Sequence, residues 1–581
     1  MRSFARQHHR FVHLLFGLLL PFSGYALDVS VAIDGLDRAT TENVRAYLSI
    51  EQEKTRKELT QARLRLLHKR ASEEIRQALQ PFGYFKPEID AELEQTGQAF
   101  RANYRITPGP LIRLAKVDVQ ILGEGSEDPE LDFDFPLQAG DVLNQPTYDE
   151  GKQKLLSQVI EHGYLDAAYS RHRIIVNIQD YQAQIELHLN TGRKFRFGPV
   201  RFTQDVMSPE FLARYVRFEP GEPFSHERLL HLQANLIDSE YFSHVEILTL
   251  RDQAEGDRVP IEVICTPSKR DRYRLGLGYS TDTGPRITLD WKRRRVGPNG
   301  QRLNSELRLS QPRSNLKTEY MIPLQRPAKD ALTYGFTLEN YDTDSRKGNL
   351  ALVNAKHSVG LENGWRRNLG LDYSYENFEV AEQDDSAFLL VPSVQWDRLK
   401  TDGHAYVQRG QHLDFRIEGA HESLLSSTSY LQFYTHDKFI QGFANGVWRV
   451  LARAEVGATL TQDLLDLPAS KRFFAGGDNS IRGFDLDELG PVDEEGDVIG
   501  GRYLAVASLE LERRIVGKWS AAVFLDAGNA FDPDYENDLA YGAGIGVRWQ
   551  SPVGPVRIDL AAGLSADEVE PRLHVVVGPE L

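Results

Sequence analysis

Cysteine is nearly absent: Cys265 is the only one in 581 residues. That excludes an internal disulfide and any Cys-rich metal cluster. Positive charge is also short, with 68 Lys+Arg against 84 Asp+Glu and a net charge of −16. A nucleic-acid binder would carry a basic footprint, so that class is set aside. Long apolar runs are missing too, since nothing past the N-terminus approaches the ~20 apolar residues of a spanning helix. A helical membrane protein is thereby excluded. A transmembrane β-barrel is not, because its lipid-facing and lumen-facing residues alternate and keep the average hydropathy low. What the chain does have fits that exception: 28 Phe, 23 Tyr and 46 Gly supply strands, turns and aromatic girdles.

The N-terminus points to a compartment. Arg2, Arg6 and Arg10 precede an apolar run from Phe11 to Phe22, and Gly24 and Ala26 then supply small residues at −3 and −1. This pattern predicts a secretory signal peptide over residues 1–26, cleaved after Ala26. About twelve apolar residues are too few for an anchor helix.

From Leu27 to about Pro267 the chain repeats itself. Tyr84, Tyr164 and Tyr241 each close a helical pattern, the first two directly after Gly83 and Gly163. A fixed period of this kind marks an array of similar units. Leu137–Leu143 recurs as Phe218–Phe224, each time just before a helix. Val117, Val119 and Ile121 alternate as a half-buried strand, and Ile174, Val176 and Ile178 form a hairpin with Ile185, Leu187 and Leu189. Val245 and Ile247 repeat the hairpin with Val259, Ile261 and Val263. Cys265 shares the parity of those three, which places it in a core rather than at a reactive site. The predicted unit is β-α-α-β-β, in three copies over 27–107, 108–192 and 193–267.

Past residue 268 the helical period disappears. Tyr273, Leu275, Leu277 and Tyr279 alternate with polar residues or glycine, as do Tyr334, Phe336 and Leu338, then Leu371, Tyr373 and Tyr375, and finally Leu573, Val575 and Val577. Turn signals such as Gly297-Pro298-Asn299-Gly300 separate such runs. Residues 268–581 therefore read as an antiparallel barrel. At about ten residues per spanning strand, sixteen strands fit, and fourteen or eighteen are tolerated.

One loop carries chemistry. Phe473–Phe484 contains two aromatics, a glycine pair and Ser480-Ile481-Arg482-Gly483-Phe484. A guanidinium inside a barrel needs carboxylates, because its charge cannot be removed and its planar fork binds them bidentately. Glu510, between Leu509 and Leu511, and Asp526, between Leu525 and Ala527, point to the lumen by alternation.

Three such repeats ahead of a barrel, with Ser480–Phe484 and Phe524-Leu525-Asp526-Ala527-Gly528, resemble the outer-membrane assembly superfamily that includes BamA and TamA. The repeats look like its POTRA domains. Their number and the terminal Gly578-Pro579-Glu580-Leu581 are similar to the TamA branch, and Ser551–Asp559 matches the family's penultimate region. The likeness covers essentially the whole mature chain. It implies that the sixth loop tucks back into the barrel, with Arg482 bonded to Glu510 and Asp526. Gly483 then allows a tight backbone, and Phe484 packs on the inner wall. It further implies a lateral gate between the first and last strands, at Tyr273, Leu275, Gly276, Leu277 and Gly278 on one side and Leu573, Val575, Val577 and Gly578 on the other. Glycine lowers strand stability there, so client strands would dock on the opened edges by β-augmentation.

The implied function is non-enzymatic: insertion or secretion of other outer-membrane barrels, such as autotransporters. The protein would sit in a Gram-negative outer membrane with its repeats in the periplasm. The implied partners are a TamB-like protein anchored in the inner membrane, unfolded barrel clients and outer-membrane lipids. The alternative is a two-partner-secretion transporter moving substrate through the lumen, a class that usually has two POTRA units and a plug helix.

No catalytic residue, metal or cofactor is expected. His226 and His231 are five apart, about 140° around a helix from the alignment a zincin needs. Gly542-Ala543-Gly544-Ile545-Gly546 lacks dinucleotide-loop spacing, and neither Gly151-Lys152 nor Gly517-Lys518 continues as a P-loop. Asp493-Glu494-Glu495 reads as a solvated loop tip, and Lys292–Arg295 as a charged strand end near the bilayer edge.

Overall fold

The computed structural model describes residues 27–581 apart from 57, 98, 404–405, 552–553, 567–568 and 578–581. The expectations for residues 1–26 and for Gly578 fall outside the described residues. The chain divides into two compact bodies. One holds residues up to 198 with 220–227 and 251–259; the other holds 199–219, 228–250 and 260–581.

The first repeat shows why this sequence makes an α/β unit. Its long helix, Gln61–Leu79, starts where the Thr60 side chain accepts a hydrogen bond from the Arg63 backbone N–H. Leu64, Leu67, Ala71, Ile75 and Ala78 form a stripe at helical spacing and are buried. They pack on Phe100, Ala102, Tyr104 and Ile106, the inward residues of strand Ala99–Thr107. That strand is central, parallel to Asp28–Asp34 and antiparallel to Glu88–Thr96.

The second repeat has the same sheet order, with Gln182–Asn190 between Arg113–Leu122 and Ala168–Asn177. The third does too, with Arg258–Pro267 between Arg196–Thr203 and Phe242–Thr249. Cys265 lies in that core, and burial pushes its thiol up to about 11.

The second repeat departs from the expected β-α-α-β-β order. Its first helix is replaced by a short 3-10 turn, Glu124–Glu127, and an irregular stretch leads to the helix Gln145–Glu161. The cause is local. Leu131, Phe133 and Phe135 alternate with aspartates between Pro129 and Pro136, a period of two that cannot line one face of a helix. Leu131, Phe135 and Leu137 still reach the core.

The remainder is a closed antiparallel barrel of sixteen strands in sequence order, from Asp271–Ser280 to Pro571–Val577. Lipid leaves no water to satisfy an open backbone edge, so closure is what lets a sheet span a membrane. Residues of 199–219 and 228–250 pack on the turn between the barrel's second and third strands, residues 294–301. The Tyr241 hydroxyl donates to the Gly300 carbonyl at 2.6 Å, and the Arg302 guanidinium lies 4.4 Å from the Tyr241 ring centre. Ser208 hydrogen-bonds Asn299 at 2.9 Å. Arg294 and Lys292 reach Glu240 at 3.3 and 2.9 Å and Arg295 bonds the Tyr241 carbonyl at 3.2 Å, so three residues of the basic run at 292–295 form a docking surface.

Gly300 has φ +78°, and a Cβ there would overlap the Phe211 ring. Gly300→Val should therefore cost this contact ~1–3 kcal/mol. Limited proteolysis should cut residues 199–250 faster while the barrel's gel-shift melting temperature stays unchanged.

Candidate functional site: lumen loop and strand seam

The loop formed by residues 462–502 joins the eleventh strand, Trp448–Thr461, to the twelfth, Tyr503–Val516. Apolar anchors hold it inside the barrel. Leu464, Leu467 and Ile499 pack with Leu389, Val391 and Tyr430. Ile481 and Phe484 pack with Leu504, Val506, Ala530 and Ala540. Polar anchors surround these: Arg346 donates twice to Asp487, at 3.0 and 2.9 Å, and Lys471 pairs with Glu418 at 2.5 Å.

Arg482 spends every guanidinium hydrogen. Nε and Nη2 form a fork on Asp526 at 2.8 and 2.9 Å, and Nη1 bonds Glu510 at 2.7 Å. Nη1 also reaches Asp559 at 3.3 Å, and Nη2 reaches the Ser508 hydroxyl at 3.3 Å. The guanidinium carbon lies 3.4 Å from the centre of the Phe524 ring. Arg482, Glu510 and Asp526 are 4%, 5% and 0% exposed, so three charges are held out of water. Such burial is tolerated only with this degree of pairing.

Glu510 is shared: its second oxygen accepts from Arg548 Nε and Nη2 at 2.8 and 2.7 Å, and Arg548 Nη1 bonds Asp559 at 2.5 Å. Two arginines and three carboxylates on four strands and one loop thus form a single network.

Gly483 makes the turn possible. Its φ is +99°, and a Cβ would overlap the backbone of Ala562 and Gly563 on the fifteenth strand, Gly554–Gly563. The Phe484 ring lies against Gly563 on that wall.

Two residues before Ile481 is Asn479, and before that Asp478, which sits at the junction of the first and last strands. Its carboxylate accepts from the hydroxyls of Ser280 and Thr281, the latter at 2.8 Å, and from the Asp282 backbone at 3.4 Å. It also hydrogen-bonds His574 Nδ1 at 2.6 Å, while the Gly483 N–H donates to His574 Nε2 at 3.0 Å. Accepting at Nε2 fixes Nδ1 as the imidazole donor.

Among the described residues the ladder between the first and last strands has one partner pair, Ser280 with Val576, supported by bonds between Thr281 and Val575 at 3.3 and 3.1 Å. By contrast, the first strand pairs with the second through its whole length.

The structure brings Ser480 to Phe484 together with Glu510 and Asp526. It places Tyr273, Leu275 and Leu277 outward on the first strand, with Gly276 and Gly278 between them. Leu573 also points outward on the last strand. The described contact lies beyond these residues on the first strand, at Ser280 and Thr281, and at Val575 and Val576 on the last.

Arg548, Asp559, Ser508, Asp478 and His574 were not singled out from sequence. Arg548 and Asp559 carry the same signal as Glu510, a charge between outward apolar neighbours, namely Val547 and Trp549, and Ile558 and Leu560. Nothing in the sequence says which of them meet.

A closed sixteen-strand barrel with an arginine loop locked in its lumen and POTRA-type α/β units before it defines a class: the outer-membrane barrel proteins whose repeats lie in the periplasm. The chain belongs to the Omp85 superfamily, whose domain matches residues 266–579, while residues 30–108 match the POTRA domain described as TamA domain 1. It is 22% identical to the outer membrane protein assembly factor BamA of Neisseria meningitidis over 86% of this chain and 71% of that protein. It is 24% identical to BamA of Nitratidesulfovibrio vulgaris over 61% of this chain and 46% of that one. Its fold is similar to the crystal structure of Haemophilus ducreyi BamA lacking POTRA domains 1–3, with a TM-score of 0.69 at 19% identity, over 80% of this chain and 99% of that one.

Removing one member of a buried charge network strands the others, at ~3–5 kcal/mol. Arg482→Ala should therefore lower the barrel's gel-shift melting temperature, and Asp526→Asn should lower it less, since the amide keeps an acceptor. Equal melting of all three proteins would contradict a structural role for the network.

Proposed function

We propose that the protein is a non-enzymatic assembly factor that helps other β-barrel proteins, autotransporters among them, into or across the outer membrane. The observation that carries this reading is the seam. An edge in lipid is severely unfavourable unless it is paired, and here, among the described residues, the first and last strands share one ladder pair, reinforced by the Asp478 side chain of the sixth loop. Such an edge is poised to exchange its partner for a client strand by β-augmentation. The assembly-factor name borne by the two BamA relatives supports the reading, as does the outward row of Tyr273, Leu275 and Leu277, which a client in the bilayer would meet first.

A TamA-type role, with a TamB-like periplasmic partner, is the finer reading. It is supported by the TamA-type match of the first unit and by the three-unit count. Transport of a substrate through the lumen is less well supported, because residues 462–502 fill part of that lumen with a packed core.

Ser280→Cys with Val576→Cys should lock the seam by a disulfide, since these residues are direct partners. Cys265 will not compete, being buried with a poorly ionised thiol. In proteoliposomes the oxidised protein should lose its acceleration of autotransporter-barrel insertion and regain it on reduction. Insertion that is indifferent to the disulfide, together with a large steady conductance, would replace this reading with that of a pore.

A further inference from the structure

The hairpin between the twelfth strand and the thirteenth, Trp519–Phe531, has a surface that the assembly reading does not use. The first barrel strand follows the periplasmic repeats, and successive strands alternate in direction, so the turn at Gly517-Lys518 lies at the periplasmic rim. Three cations lie near it, Arg513, Arg514 and Lys518; Arg513, opposite Ala521, shares the outward parity of Leu509 and Leu511, whereas Arg514, opposite the buried Ser520, shares the lumen parity of Glu510 and Glu512. All three are exposed, and none has a carboxylate partner among the described residues. Several other cations on this rim are paired, Arg293 with Asp271, Lys292 and Arg294 with Glu240, Arg326 with Asp330, and Lys329 with Glu362, while Arg366, Lys400 and Arg409 are exposed and have no carboxylate partner among the described residues.

The backbone is built to present apolar groups beside these charges. The ladder with the thirteenth strand slips between Arg514 and Val516. A bulge of this kind breaks strict alternation. Ile515 and Val516, neighbours that a regular strand would send to opposite faces, are 61% and 67% exposed. Aromatic rings flank them on the outer wall. Trp519 stacks on Trp549 with ring centres 5.4 Å apart, and the Arg513 guanidinium lies 5.2 Å from the centre of the Trp448 ring.

Ring faces at the level of the headgroups, aliphatic tips and unpaired cations on one hairpin match a single environment: the boundary between acyl chains and phosphates. We propose that this hairpin is a binding site for anionic phospholipid headgroups of the periplasmic leaflet. Arg513 and Lys518 hold the phosphate, and Ile515, Val516 and Trp519 enter the acyl region. Arg513, oriented by its stack on Trp448, supplies a planar fork suited to phosphate oxygens.

The test is native mass spectrometry of the full chain in detergent, titrated with phosphatidylglycerol or with phosphatidylethanolamine of the same acyl chains. The wild type should retain phosphatidylglycerol preferentially, and the preference should fall as salt rises. Arg513→Gln and Lys518→Gln together should abolish it, at about fivefold per cation, while Arg514→Gln, on the lumen face, should leave it unchanged. Lys518→Gln alone, at the turn, gives a variant whose folding is not in question, and gel-shift migration verifies the barrel in each case. Equal retention of the two lipids by the wild type, or an undiminished preference in the protein substituted at Arg513 and Lys518, overturns the proposal. So does a photocrosslinker at position 516 that captures a protein rather than lipid in native membranes. Client insertion, measured on the same variants, is a separate readout, and its loss or survival leaves the lipid result standing.

Discussion

A guanidinium that cannot lose its proton, placed in the lumen of a barrel, must be surrounded by carboxylates. Arg482 is that group, and much of the loop's path follows from satisfying it. Asp526 takes its fork, Glu510 links it to Arg548, and Asp559 closes the network. Four consecutive strands, the twelfth to the fifteenth, are thereby tied to one loop. With Arg482 fixed, Gly483 and Phe484 are set against the fifteenth strand, and the preceding Asp478 is brought to the place where the barrel closes.

The second constraint comes from lipid. A spanning sheet must close, yet the first and last strands share little ladder among the described residues. The shortfall is made up by side chains: Ser280 and Thr281 from one strand and His574 from the other meet on the Asp478 carboxylate. Backbone ladders are cooperative over their length, whereas a few side-chain bonds break locally. On the proposed function, this is the seam that separates to admit a client strand.

The architecture was legible because its periods are plain. Alternation over hundreds of residues marked the barrel, and the recurring tyrosines marked the repeats. The departure in the second repeat was legible as well, since Leu131, Phe133 and Phe135 alternate where a helix requires a spacing of three or four. A template carried over from the neighbouring repeats masked it. In the site, Glu510 and Asp526 were found because a charge between apolar neighbours in a strand has only the lumen to face. Arg548 and Asp559 obey the same rule but have no loop motif to draw the eye. His574 is a different case, because an uncharged imidazole between Leu573 and Val575 looks like any inward polar residue.

By itself the sequence determined the class of each segment and the face on which each side chain lies, because those depend on periods of 2 and 3.6 residues that neighbours along the chain define. Only the tertiary structure decided which lumen charges meet, which residues join the seam and where the loop crosses it. These depend on strand register and on closure of the sheet, which bring together residues as distant in the chain as Ser280, Asp478 and His574.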